Sequence, residues 1–463
     1  MNRSKKLYVL TGVFVFVCAV AFGVTKYEEK KEEIKNSDEI ILEVASEDVT
    51  SLSWTCGSES LAFHKDDTWL YDEDEAFPVN EEKVNELLSM FEEFGVSFMI
   101  ENVEDYGQYG LENPVCTINM ETADNSYEIL VGEFSDMDEE RYVSIGDGNV
   151  YLVKNDPVES FDITLSDMIQ HDEFPDFEKV SEITFTGTEN YQIVYEEGSQ
   201  NTYCDDDVYF TEKEESMVPL STSNVDSYLS TISNLNLTDY VTYNATEEEI
   251  AKYGLNEPEL TVNVQYAWED EETEEEVNGA FILNVARDPE EQEKESDDED
   301  EEITAYARVG ESQIIYQLTT EQYNSLMAAS YNDLRHAEVL TADLADVEKI
   351  DVVLDGETYV ITVEEDDDEI LCYYNGDRVE NDDFQNALEA LTANNFTEEE
   401  PEGKEEISMT IYLDNDNNPE VSVELYRYDG SYCLAVVDGE PVSLVERGLV
   451  VDLVEAVNAI VLN

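Results

Sequence analysis

Apolar residues along this chain alternate in short runs, give way to stretches where they recur every three or four positions, and then alternate again. Read with strand and helix periods, the pattern is one design written three times. Each copy opens with a short strand: "VTSLSW" from Val49, "VSEITF" from Val180, "VEKIDV" from Val347. A return strand follows in each, "SLAFHK", "YQIVYE" or "TYVITV", across turn residues Cys56-Gly57-Ser58, Gly187-Thr188-Glu189-Asn190 and Asp355-Gly356.

A helical period comes next. "NEEKVNELLSMFEEF" at 80–94 puts Val84, Leu87, Leu88 and Phe91 on one face, and "SNVDSYLSTISNLNL" does the same with Val225, Leu229, Ile232 and Leu235. The third, "ENDDFQNALEALTANNF", uses Phe384, Leu388 and Leu391, and Asn80, Ser223 and Asn381 are the expected caps. The second half of each copy is a run of strands: "VCTINME", "YEILVGE", "RYVSIG", "NVYLV"; then "LTVNVQYAW", "AFILNVA", "TAYARVG", "QIIYQL"; then "ISMTIYL", "EVSVELYRY", "SYCLAVV", "VSLV". Helical endings are expected at 156–170, 319–330 and 446–461.

Between the halves of the first two copies stands one motif, "YGLENP" and "YGLNEP", the second 144 residues after the first (Tyr109 to Tyr253). A glycine there can take the left-handed conformation that closes a helix, the next leucine can fold back on its last turn, and a proline prevents the helix from resuming. Tyr109, Gly110, Leu111, Pro114, Tyr253, Gly254, Leu255 and Pro258 therefore read as structural punctuation, with the tyrosines packing the joint. The third copy keeps only Pro401 near that place, so it is expected to be degenerate.

The fold class expected is α+β: tandem modules of antiparallel strands and amphipathic helices behind an N-terminal membrane anchor. The run "LYVLTGVFVFVCAVAFGV" at 7–24 is long enough for a helix of about 27 Å, against a hydrocarbon core of about 30 Å. It reads as an uncleaved signal-anchor; cleavage near Ala21, giving a secreted protein, is the alternative. The expected division is 1–24 cytoplasmic tip and anchor, 25–45 charged connector, 46–178 module one, 179–340 module two and 341–463 module three.

Charge narrows the partners. With 23 Lys and Arg against 114 Asp and Glu, the formal charge is −91, a field that repels nucleic acid. The longest acid runs, "EDEETEEEVNG" and "DPEEQEKESDDEDEE", fall between strands and read as solvated hairpin loops. Six cysteines, at 18, 56, 116, 204, 372 and 433, show no CxxC spacing and mostly lie in apolar strands, so free buried thiols are expected.

Chemistry is sparse. His64, His171 and His336 form no HExxH or paired Cys/His spacing, and there is no GxSxG elbow, P-loop or GxGxxG. "LDNDNNPE" has Asp414, Asp416 and Asn418 at alternate positions, but Pro419 and Leu425 stand where a calcium loop needs glycine and glutamate, so it reads as a tight turn. No catalytic, cofactor-binding or metal residue is expected, and no cofactor.

The Tyr-Gly-Leu joint, the strands after it, the "NVYLV" ending and "SYNDLRHAEVL" before a new entry strand resemble the bacterial domain of unknown function 4340 family, over about residues 46–340 with a weaker third copy. The resemblance implies a membrane-anchored extracytoplasmic protein encoded beside ABC-type transport systems, and carries over no catalytic residue. The expected function is non-enzymatic: an accessory to such a transporter or to cell-envelope assembly, held to the membrane through residues 7–24. The competing readings are an envelope hydrolase using acidic residues, which needs clustered buried carboxylates, and a secreted adhesin or carbohydrate-binding array, which needs exposed aromatic platforms.

Overall fold

A computed structural model describes residues 39–462, apart from 102, 271–272, 293–301, 367–368 and 381. The apolar run at 7–24, most of the connector, the cap Asn381 and the middle of the second acid run lie outside the described residues. Among the described residues no helix is long and apolar enough to cross a membrane.

The chain is α+β, built on three nine-stranded antiparallel sheets. In the first, the entry strand Val49–Cys56 has outer strands Glu59–Lys65 and Trp69–Tyr71 on one side. On its other side runs the meander Cys116–Thr122, Ser126–Ser135, Glu140–Ser144, Val150–Val153. A closing strand, Phe94–Ile100, pairs with the end of the meander. The connector's last residues are held too, since Glu39–Leu42 pairs with that closing strand at the far edge.

The second sheet repeats this order around entry strand Lys179–Gly187, with meander Leu260–Glu269, Glu276–Arg287, Ala305–Val309, Ile315–Leu318 and closing strand Tyr240–Thr242. The third does so around Val347–Leu354, with meander Glu405–Leu413, Glu420–Arg427, Tyr432–Val437, Glu440–Glu446 and closing strand Ala393–Phe396. Each of these two sheets has three outer strands beyond its entry strand, and the third sheet keeps the second's order although it lacks the motif.

The likeness of the entry strands has a geometric cause. Pairing with the first meander strand is interrupted between Val49 and Ser51, between Val180 and Glu182, and between Val347 and Lys349. One extra residue bulges at each place, shifting the strand's alternation by one. Val49, Val180 and Val347 are therefore buried three residues before Leu52, Ile183 and Ile350, instead of two or four. After the bulge the strict alternation resumes through Trp54, Phe185 and Val352.

The helices lie where the periodicity places them, but end earlier. They span Glu81–Ser89, Thr222–Ser233 and Asp382–Glu389, and the tails of the expected helical runs lead into the closing strands, or in the third module form one. "NLNL" at 234–237 alternates with a period of two, and Leu235 and Leu237 are both buried. Asn80 caps the first helix by accepting from the Lys83 amide at 2.9 Å, whereas in the second the cap is Ser221, not Ser223.

The chain divides into two compact units, up to His171 and from Asp172 onward. In the second unit, Tyr203 packs against the core of the third sheet, and the Asn418 side-chain amide donates to the Thr202 carbonyl at 2.8 Å. The loop carrying Asp414 and Asn418 is the expected tight turn: the Asn415 side chain accepts from the amides of Asn417 and Asn418.

The thiol expectation is corrected at one pair. Cys56 and Cys116 face each other across the entry and first meander strands and form a disulfide, while Cys204, Cys372 and Cys433 are free. Their separation of 60 residues hides the pairing from any local spacing rule. Alkylation of the denatured, unreduced chain is expected to label Cys204, Cys372 and Cys433 and to spare Cys56 and Cys116. Replacing both paired cysteines by alanine should cost about 2–4 kcal/mol in denaturant unfolding, as expected for a loop of this size.

Candidate functional site

The motif residues form two helix-ending joints of one geometry. In the first, the Leu111 amide donates to the Tyr106 carbonyl at 3.1 Å and the Gly110 amide to the Gly107 carbonyl at 3.1 Å. In the second, Leu255 donates to Ile250 at 2.9 Å and Gly254 to Ala251 at 3.2 Å. This paired bonding satisfies carbonyls at a helix end and needs a left-handed residue just beyond it. Gly110 and Gly254 supply it, with φ of +72° and +75°.

The joints rest on their own meanders. Leu111 and Leu255 are buried, Pro114 and Pro258 half-buried. The Tyr109 ring packs on Tyr142 at 5.0 Å and Tyr253 on Tyr306 at 4.6 Å. A Cβ on Gly110 would lie 2.8 Å from the Glu133 amide, and one on Gly132 only 2.2 Å from the Tyr109 carbonyl, so the first joint requires both side chains to be missing. At Gly254 the nearest atom would be 3.2 Å away.

Glu259, just after the second motif, fixes its joint. It accepts from Arg287 Nε at 3.0 Å, Arg287 Nη2 at 2.8 Å, the Arg287 amide at 3.0 Å and the Tyr323 hydroxyl at 2.9 Å. Burial alone would raise its pKa, but these bonds outweigh it and hold the carboxyl below its ordinary value. The motif residues thus gather structural contacts within each module and do not converge on a common cavity.

Among the described residues the histidines and free thiols do not form a reactive group. His64 pairs with Asp72 on the surface. His336 Nε2 lies 2.8 Å from Asp207 Oδ1, with the other Asp207 oxygen accepting from Thr202 at 2.6 Å. An aspartate can orient a histidine as a base, but the group toward which His336 Nδ1 turns is Glu338, at 3.8 Å, and not a hydroxyl or thiol. Burial, with Asp207, pushes the nearby Cys204 thiol up to about 11. Asp414 and Asp416 are exposed, and among the described residues no group of His, Cys, Asp and Glu could hold a metal.

Aromatic rings gather at the far end of the hairpin Leu260–Arg287. Tyr266 and Trp268 stack at 5.4 Å, Phe177 meets Tyr266 edge-on, and Gly279 makes room beneath the Trp268 ring. Phe177 also meets Phe281 at 5.8 Å, so Tyr266 is packed into an aromatic cluster.

The cleft with the most distinctive chemistry lies where modules two and three meet. It encloses about 480 Å³ between the outer strands of the second sheet (Tyr191, Thr211, Glu212, Lys213), the short helix Tyr331–Leu334 with Arg335, and the end of the closing strand of the third with the two residues after it (Phe396 to Glu398). The Arg335 guanidinium carbon lies 4.9 Å from the centre of the Tyr331 ring and 4.4 Å from that of the Phe396 ring. Lys213 lies 5.2 Å from the Tyr331 ring centre and 3.1 Å from Glu398. None of these was singled out as a site residue in the sequence, although "SYNDLRHAEVL" contains Tyr331 and Arg335.

A family model described as Domain of unknown function (DUF4340) matches residues 69–258 and 213–406. The two matches begin 144 residues apart, the interval between the motif tyrosines. No curated protein and no solved structure matches the chain.

Two measurements check the joints. Gly132→Ala, by overlap with the Tyr109 carbonyl, and Gly110→Ala, by overpacking added to the left-handed penalty, should each cost about 2 kcal/mol or more in urea unfolding, while Gly254→Ala should cost about 1 kcal/mol. Because Glu259 has a folded pKa below its ordinary value of 4.5, its contribution is complete above that pH and is lost as pH falls through the folded value. Glu259→Gln should therefore destabilise the protein at neutral pH, with the difference from wild type shrinking on acidification.

Proposed function

We propose, for a chain that belongs to the DUF4340 family of domains of unknown function, that it is a non-enzymatic, membrane-tethered extracytoplasmic protein assisting an ABC-type transport system or a cell-envelope assembly. The observation that carries this reading is the Cys56–Cys116 disulfide. Such bonds persist outside the reducing cytoplasm, so it supports an extracytoplasmic position for the modules. The apolar run at 7–24 supplies the tether.

Repetition supports the non-enzymatic part. What recurs is a sheet order and a bulge, and the twice-used motif acts through backbone bonds and ring packing. A hydrolase built on acids would need carboxylates raised and gathered in a cleft. The cleft at modules two and three instead presents cations set against aromatic rings, a chemistry suited to holding a group.

The test is topological and then biochemical. Protease added to intact, wall-stripped cells should degrade the chain beyond the apolar run, and gentle solubilisation should co-purify integral transporter subunits with it. Protection from protease, or recovery of the whole protein in the medium, would contradict the reading.

A further inference from the structure

We infer that the cleft between modules two and three binds a compact organic anion bearing a single carboxylate. The inference stands apart from the transport-accessory reading, since it requires only these two modules. The Tyr331 and Phe396 rings hold the Arg335 guanidinium by cation–π contact, which does not consume its N–H donors, and a guanidinium carries those donors in a fork that matches a carboxylate. Among the described residues no carboxylate is ion-paired with it. Glu398, whose charge acts on Arg335 from a distance, is bonded instead to Lys213.

That imbalance is notable in a chain with 114 Asp and Glu against 23 Lys and Arg. Arg335 is half-buried, and burial pulls its pKa below the usual range, so the charge has lost part of its hydration. A ligand carboxylate restores the compensation that water no longer supplies.

The walls define the rest of the ligand. Tyr191, Tyr331 and Phe396 offer apolar surface, and Thr211 and Thr397 offer hydroxyls, so a ring or short chain bearing the carboxylate fits the volume. Glu212 and Glu398 at the same cleft oppose a second negative charge. A dianion such as phosphate is disfavoured for that reason. The carboxylate can come from an aromatic acid or from an acidic sugar, and these two sources are distinguished by the probes.

The experiment titrates the full chain, purified in detergent, with sodium benzoate, sodium glucuronate and inorganic phosphate at constant ionic strength, followed by calorimetry. Saturable binding of one equivalent of benzoate or glucuronate is expected, the tighter of the two naming the source, with phosphate weaker by roughly tenfold or more. Arg335→Gln should weaken binding roughly tenfold or more, the loss of a charge-assisted bond. Asn332→Asp adds a negative charge at an exposed position of the rim and should weaken it several-fold, which keeps the test decisive if the arginine variant does not fold. No saturation by either carboxylate, phosphate binding as tightly as they do, or affinities unchanged in Asn332→Asp would overturn the inference. So would an Arg335→Gln protein that melts earlier yet binds as before, since the arginine would then only staple two modules.

Discussion

Each module depends on one non-local pairing, the entry strand against the first strand of the meander. Between Val49 and its partner Thr122 lie the outer strands, the helix, the closing strand and the joint, so the chain must close a long loop before this pairing forms. The recurrent bulge gives that pairing a fixed register. A slip of one residue would turn Leu52, Trp54 and Cys56 to the opposite face, and with them the whole buried row. The disulfide in module one fastens the same two strands at their other end.

The joint prepares the pairing from the opposite side. A helix end closed by Gly110 or Gly254 sets the direction in which the chain enters the meander, and the leucine after it is already buried when the first meander strand begins. The third module reaches the same sheet order without that closure. Its "NNFTEEEPEGK" segment leaves the closing strand at Phe396 and enters the meander at Glu405, so a short extended link replaces the helix end. The motif is thus one way of turning this corner, and the strand pairing is the requirement it serves.

What could be read from sequence follows from range. Local periodicity carried the strands, the amphipathic helices and the threefold design, because each is decided within a dozen residues. The closing strands are three to seven residues long and follow the helices within a few residues, and apolar residues at the helix ends and in the links, such as Leu235 and Leu237, extend the helical pattern by accident. The disulfide required knowing which strands pair. The cleft required more: Tyr331 and Arg335 come from one module's end and Phe396 from the next module's closing strand, in segments whose polarity suggests surface loops. The scarcity of basic residues was the available signal, since each of the 23 could be asked which acid it serves.

The overall charge of −91 and a carboxylate-binding cleft are compatible because they act over different distances. At physiological salt, exposed charges more than about 8 Å apart are largely screened, so most of the chain's acids contribute little inside a particular cleft. A contact made with a partly desolvated guanidinium is screened much less, and the two ring contacts restrain that guanidinium before any ligand arrives. The acidic field still matters at the approach, where it slows anions and penalises those of high charge most. The same composition that excludes polyanions therefore leaves room for a small monoanion, and selectivity by charge number arises without a dedicated filter.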